Sequence, residues 1–352
     1  MEGYDVYKLL AKRLDSFPQG YPETETGKEL EILAYLFTPD EAKLAANLTL
    51  EYQSLDHISQ LADYSKPEAI KLVKSMASKG LVHLTRGDKG VEVMLFPFVV
   101  GFYENQVSRM DETFAQLFED YFHQAFHSLL SIAPQFHRVI PIRESIDTTI
   151  EILPEEDIIS LLNQKKAWAV LDCICRKQQA LLDHPCQHPV RVCLAMSDIP
   201  GAFDQSDTLE ALDLQSAVAV LDKAARAGLV HTVSNQKRDI SYVCSCCTCS
   251  CGLLRGIAEA GIANVVARSS FVVEVNEDLC IGCGVCAGVC QFHAITMTEV
   301  AKISSSNCFG CGVCVGTCPE EAIFLVSRNP EDVLKIPETE FDWLRQRGAA
   351  RS

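Results

Sequence analysis

The spacing of hydrophobic residues changes along the chain, and the changes mark out its organisation. Leu30, Leu33, Ala34 and Phe37 fall at helical spacing, and Pro39 to Leu48, acidic near its start, predicts a second helix. Ser54 is placed to cap a third helix carrying Leu55, Ile58 and Leu61. A fourth opens on the capping-box pattern of Ser65 and Glu68, with Pro67 in its first turn. It presents Ile70, Val73 and Ala77 on one face and ends at Gly80. The period then falls to two in Leu81–Leu84 and Val91–Leu95 around Gly87-Asp88-Lys89-Gly90, a hairpin signal. Helices followed by such a ribbon predict a winged-helix-like docking region over residues 1–103. Phe114, Leu117, Phe118, Tyr121, Phe122 and Phe126 predict a packing helix within a connector over 104–154, which also holds Pro134, Pro141 and Pro154.

Two further patterns follow. Lys79-Gly80-Leu81-Val82-His83 is echoed by Ala227-Gly228-Leu229-Val230-His231, each after a predicted helix, and marks a second helix-then-strand unit. In the tail, 331–352, Phe341, Trp343 and Leu344 predict a short helix that packs on the body.

At 352 residues and 48% hydrophobic content, the chain has material for two or three cores and reads as an α+β multidomain protein. Its formal charge of -16, from 31 basic and 47 acidic residues, repels nucleic acid over most of the surface and favours partners with basic patches. Met1 leads into Glu2 and Asp5 rather than an apolar signal core, and the longest apolar run, Val93 to Tyr103, is interrupted by Pro97 and Gly101. The expectation is a cytoplasmic protein without membrane insertion.

All 17 cysteines lie between Cys173 and Cys318. In a reducing compartment such clustering points to metal rather than to disulfides. Eight of them form a repeat. Cys280-Ile281-Gly282-Cys283-Gly284-Val285-Cys286 returns as Cys308-Phe309-Gly310-Cys311-Gly312-Val313-Cys314, and the match continues through Cys290/Cys318, Ala294/Ala322 and Ile295/Ile323. Each half has the C-x2-C-x2-C-x3-C spacing of bacterial ferredoxins, in which the fourth cysteine ligates the other cluster. Residues 270–330 are therefore expected to fold as a dicluster ferredoxin domain with two 4Fe–4S clusters. Cys280, Cys283, Cys286 and Cys318 would hold one cluster, and Cys308, Cys311, Cys314 and Cys290 the other. A pair of zinc sites is the competing reading, and the doubled internal symmetry weighs against it. Pro319 completes the second motif, whereas Gln291 stands where the first would carry proline.

The other nine cysteines define a cysteine-rich metal-binding region over 155–269. Cys173, Cys175, Cys186 and Cys193 form one set able to hold a further Fe–S cluster, with Arg176, Lys177 or Arg191 offsetting its charge. Cys244, Cys246, Cys247, Cys249 and Cys251 are too dense to exist as free thiolates without a neutralising metal. They supply another cluster or share one with the first set. Zinc and a redox-active dithiol are the alternatives. His184 and His188 flank Cys186, where they could ligate metal, but are read as surface-loop residues, and His123 and His127 as packing residues.

The Cys173-Ile174-Cys175-Arg176 motif, the Cys186/Cys193 pair, the Val243-Cys244-Ser245-Cys246-Cys247 run and the terminal motifs occur in order. In this the chain, from about Pro18 to Val326, resembles multi-cluster 4Fe–4S ferredoxin-type proteins of anaerobic bacteria and archaea. Ser250 falls where related sequences carry another cysteine. The resemblance implies an iron–sulfur electron carrier, relaying single electrons at low potential between a donor and a partner oxidoreductase. No catalytic residue can be nominated, so the chain reads as a carrier or redox subunit rather than an independent enzyme. One rival is a redox-responsive regulator that binds DNA through Lys66, Lys71, Lys74 and Lys79. The other is a reductase subunit with a catalytic middle cluster.

Overall fold

In a computed structural model of the chain, residues 5–87, 90–142 and 154–351 are described. Asp88 and Lys89 of the expected turn, and residues 143–153 of the expected connector, lie outside them. The fold is mixed α/β and divides into two compact units. One comprises Met1–Leu129, Lys177–His184 and Arg347–Ser352, and the other Leu130–Arg176 and Pro185–Gln346.

The first unit begins with α1 (Asp5–Asp15), α2 (Lys28–Leu36) and α3 (Pro39–Ala45), followed by the short strand β1 (Gln53–Ser54), α4 (Leu55–Leu61) and α5 (Lys66–Ser78). The helix starts obey local chemistry. Ser54 accepts a hydrogen bond from the His57 amide, and Ser65 and Glu68 form the capping box. The buried face of α5 is Ala69, Val73 and Met76, rotated slightly from the expected Ile70, Val73 and Ala77 stripe. Strands β2 (Val82–Gly87) and β3 (Gly90–Leu95) pair antiparallel, and β1 adds to β3. Helix α6 (Glu112–Gln124) is shorter than the expected aromatic stretch and buries Phe114, Phe118, Tyr121 and Phe122. Tyr103 stacks on Phe118 with ring centroids 4.0 Å apart.

The second unit is built on a six-stranded sheet. Its strands are β4 (His137–Val139), β5 (Ala167–Asp172), β6 (Arg191–Ser197), β7 (Glu210–Leu212), β8 (Val230–Ser234) and β9 (Tyr242–Cys246), in the order β4-β8-β9-β6-β5-β7. Helices α7 (Ile158–Asn163) and α9 (Leu214–Arg226) are interspersed, with α10 (Arg255–Ala260) after the sheet, while α8 (Ile174–Leu181) begins in this unit and continues into the first. One sheet face carries Val170, Leu194, Val233 and Val243 in a core with Leu161, Leu162, Ala217 and Leu221 from α7 and α9. Because side chains alternate along a strand, the residues between these point the other way. That face bears Cys193, Cys244 and Cys246.

The chain then forms β10 (Phe271–Val275), α11 (Val285–Val289), β11 (Ile295–Met297), β12 (Ala301–Ile303) and β13 (Ile323–Ser327). Strand β10 pairs with β13, and β11 with β12, all antiparallel. The tail helix α12 (Glu340–Arg351) runs longer than expected, and its Trp343 Nε1 donates to the Gln135 carbonyl at 2.8 Å. Among the described residues no helix is long and apolar enough to cross a membrane.

Two predictions follow from this core. Leu221, 3% exposed, should cost about 2–5 kcal/mol on truncation to Ala, against under about 0.5 for Leu334, 48% exposed, measured by anaerobic denaturant unfolding. His137 is buried between the Thr232 hydroxyl and the Tyr242 hydroxyl, and burial lowers its pKa to about 3. The unfolded chain, with a histidine pKa of about 6.5, takes up this proton first, so stability is complete above that value and is lost as pH falls towards about 3. A stability–pH titration should show the slope, and His137→Gln should reduce it.

Candidate metal centres

The repeated motifs near the C-terminus fold as two tight loops. Gly282 and Gly310 both have φ of +68°, and at each a Cβ would collide with a carbonyl oxygen, that of Glu299 or of Phe271. The loops bring Cys280, Cys283, Cys286 and Cys318 around one cavity, and Cys308, Cys311, Cys314 and Cys290 around a second. Each cavity thus takes three thiols from its own motif and a fourth from the other half. The repeated residues Ala294 and Ala322 donate backbone N–H bonds of 3.3 Å to Sγ of Cys290 and Cys318. Burial pushes the Cys311 thiol up to about 12, so it ionises only against a cation. Four soft donors, N–H···S bonds and an apolar wall fit a 4Fe–4S cluster at each cavity.

The two halves differ in their surroundings. Ile281 and Val285 are 64% and 44% exposed, whereas their counterparts Phe309 and Val313 are each 3% exposed. Phe309 is covered by Phe292, stacked at 4.1 Å, and by Arg268, 5.2 Å above its ring. Cys283 is exposed where Cys311 is half-buried, and Cys280 is half-buried where Cys308 is buried, while Cys286 and Cys314 are both buried.

The middle cysteines are sorted differently from their order in sequence. Leu194 pairs with Val243, which sets Cys193 opposite Cys244, and Cys246 follows on the same face of β9. Cys173 and Cys175, at the end of β5 and the start of α8, and Cys251, beyond β9, complete the group. Thiol–thiol contacts run Cys173–Cys175–Cys251–Cys246–Cys244–Cys193 and back to Cys173, a closed ring of six. Beside it lies Arg176, 2% exposed, whose Nη2 donates to the Ser245 carbonyl at 2.7 Å and lies 3.6 Å from Cys247 Sγ. Its Nε and Nη1 are buried without a hydrogen-bond partner. Burial acts to lower the Arg176 pKa, but the surrounding thiolates outweigh it and raise it. A buried guanidinium with two orphaned donors facing thiols fits an anionic cluster held by the ring.

The remaining three, Cys186, Cys247 and Cys249, gather with His188, all four ligand atoms lying within 4.8 Å of one another. His188, read from the sequence as a surface-loop residue in preference to a ligand, is brought to these thiols by the fold. Its place two residues after Cys186 was visible, but nothing local distinguished it from His184. Lys177 donates to the Val107 carbonyl, and Arg191 pairs with Glu210 and Asp172.

Gln291, the departure from the ferredoxin pattern, joins the two regions. Its Oε1 accepts from the Thr248 amide and hydroxyl at 3.0 and 2.9 Å, and its Nε2 donates to the Gly228 carbonyl at 3.2 Å. Proline there could make none of these bonds.

Paired four-cysteine cavities of this kind define a ferredoxin-type domain. Residues 279–322 match the family model described as 4Fe-4S dicluster domain. No curated protein and no solved structure matches the chain.

Removing the Gln291 side chain leaves the Thr248 amide without its partner. Gln291→Ala should cost about 1–3 kcal/mol in anaerobic unfolding, and Gln291→Pro should not recover it.

Proposed function

We propose that the chain is an iron–sulfur electron-transfer protein that relays single electrons between a low-potential donor and a partner oxidoreductase. The carrying observation is the unequal exposure of two cysteine-lined cavities within one ferredoxin-type domain. Bound 4Fe–4S clusters supply reversible one-electron chemistry. The protein's own residues determine how that chemistry is reached. Cys283, Ile281 and Val285 form an exposed apolar rim suited to a docking partner, while Phe309, Val313 and Phe292 keep water from the inner cavity. Cys286 of one cavity and Cys314 of the other belong to the same buried cluster, which supports short-range exchange between the two positions. The six-thiol ring, balanced by Arg176, would hold at least one further Fe–S cluster.

We infer that residues 1–103 are a winged-helix-like docking module, a reading supported by helices leading into a small sheet ordered β1-β3-β2. DNA binding is the weaker alternative, because two of the four lysines invoked for it are engaged by carboxylates. Lys66 pairs with Asp56 at 2.7 Å and Lys79 with the buried Glu41 at 2.6 Å.

Iron and acid-labile sulfide should be measured on protein purified anaerobically. About twelve irons per chain are expected, falling to about eight in Arg176→Leu. Far fewer than eight in folded wild-type protein would sink the electron-transfer reading, and about eight would remove the cluster from the ring. Ile281→Glu should slow electron exchange with partner reductases at unchanged iron content, whereas Phe309→Glu should lose iron.

A further inference from the structure

Cys186, His188, Cys247 and Cys249 form a second group beside the six-thiol ring, and their ligand atoms all lie within 4.8 Å of one another. Cys186 Sγ lies 2.9 Å from His188 Nδ1, 2.9 Å from Cys249 Sγ and 3.7 Å from Cys247 Sγ. Cys249 Sγ is 3.7 Å from the same His188 nitrogen. We propose that these four side chains form a closed mononuclear site for zinc(II), separate from every iron–sulfur centre of the chain.

Size is the first reason. A tetrahedral ion with bonds of about 2.3 Å to sulfur and about 2.0–2.1 Å to nitrogen places its ligand atoms about 3.5–3.8 Å apart. The observed separations bracket that edge, and none exceeds 4.8 Å. A cubane attaches each ligand to a different iron and spreads the ligands over the outside of a much larger body, which four atoms this close cannot enclose.

The second reason is the donor set. Three thiolates and one imidazole complete a tetrahedron with protein atoms alone, so no position is left for substrate, as in structural zinc sites. Binding releases the three thiol protons, and His188 coordinates as the neutral imidazole through Nδ1. The resulting centre carries one net negative charge. Arg176, whose Nη2 is 3.6 Å from Cys247 Sγ, lies on the side where it offsets that charge.

The third reason is position. Cys186 and His188 come from the loop between α8 and β6, and Cys247 and Cys249 from the turn after β9. Neither segment is held by strand pairing. A zinc ion there ties the two loops together at the point where Gln291 grips Thr248, between the two later ligands. It would also keep Cys247 and Cys249 out of the ring, which is left with its six thiols.

This site goes beyond the electron-transfer reading and does not depend on it, since zinc and iron are counted separately. The test uses the full chain, expressed with zinc and iron in the medium and purified anaerobically, with both metals measured by mass spectrometry. About one zinc per chain is expected, and zinc-edge X-ray absorption should show three sulfurs at about 2.3 Å and one nitrogen at about 2.0–2.1 Å. Cys249→Ser and His188→Ala should each lower zinc at least tenfold and leave iron unchanged. His188→Cys, which restores a four-ligand set, should retain zinc with a four-sulfur shell. The ferredoxin-type EPR signal serves as the check that each variant has folded. Absence of zinc from the wild-type protein would overturn the proposal. So would a loss of about four irons from Cys249→Ser with zinc unchanged, which would assign these ligands to a cluster.

Discussion

The arrangement of the middle region depends on the register between β6 and β9. With Leu194 opposite Val243, the two strands turn Leu194, Met196 and Val243 into the core beneath α7 and α9, and Cys193, Cys244 and Cys246 to the other face. A slip of one residue would exchange the faces, burying thiols in the core and exposing the aliphatic side chains. The hydrophobic core therefore specifies the register, and the register places the thiols. The thiol-bearing face needs no stability of its own to be aligned, because it is aligned by the packing on the opposite side.

Once the thiols converge, charge becomes the dominant problem. Several thiolates close together are tolerable only if cations neutralise them. The protein supplies one cation from its own sequence, Arg176, buried beside the ring with two donors that no protein acceptor meets. In an apolar interior, such a side chain without an anionic neighbour would be strongly destabilising. Its position makes sense if the ring is anionic, and the ring can be anionic if metal holds its thiolates. Each feature explains the other, which a set of neutral buried thiols would not do.

What the sequence revealed, and what it concealed, divides by range. The helix caps at Ser54 and Ser65, the β2–β3 hairpin and the spacing of the terminal motifs are local, and each was legible because the residues involved lie within a few positions of one another. Sorting the nine middle cysteines was not legible. Their order suggests a set of four followed by a set of five, but the sheet draws Cys173, Cys175 and Cys193 together with Cys244, Cys246 and Cys251. Cys186 is left to join Cys247 and Cys249. That division follows from strand order and from pairing between residues about 50 apart, for which neither spacing nor composition holds a signal. Gln291 illustrates the same limit. As a missing proline it was visible at once, while its bonds to Thr248 and Gly228 belong to the tertiary fold.

The terminal repeat carries a further lesson about equivalence. Its two loops have nearly the same sequence and the same left-handed glycine turn, so the covalent chemistry of the two cavities is matched. Their environments are not matched, because Ile281 meets solvent and Phe309 is sandwiched between Phe292 and Arg268. Solvent exposure and hydrogen bonding to sulfur both tune cluster potential, so two identical motifs in these settings need not behave alike. Gln291 strengthens the inequality, for it follows Cys290, a residue lining the inner cavity, and is bonded to the cysteine-rich loop. The inequality of the two cavities, one exposed and one enclosed, thus arises from what surrounds the repeat and not from the repeat itself.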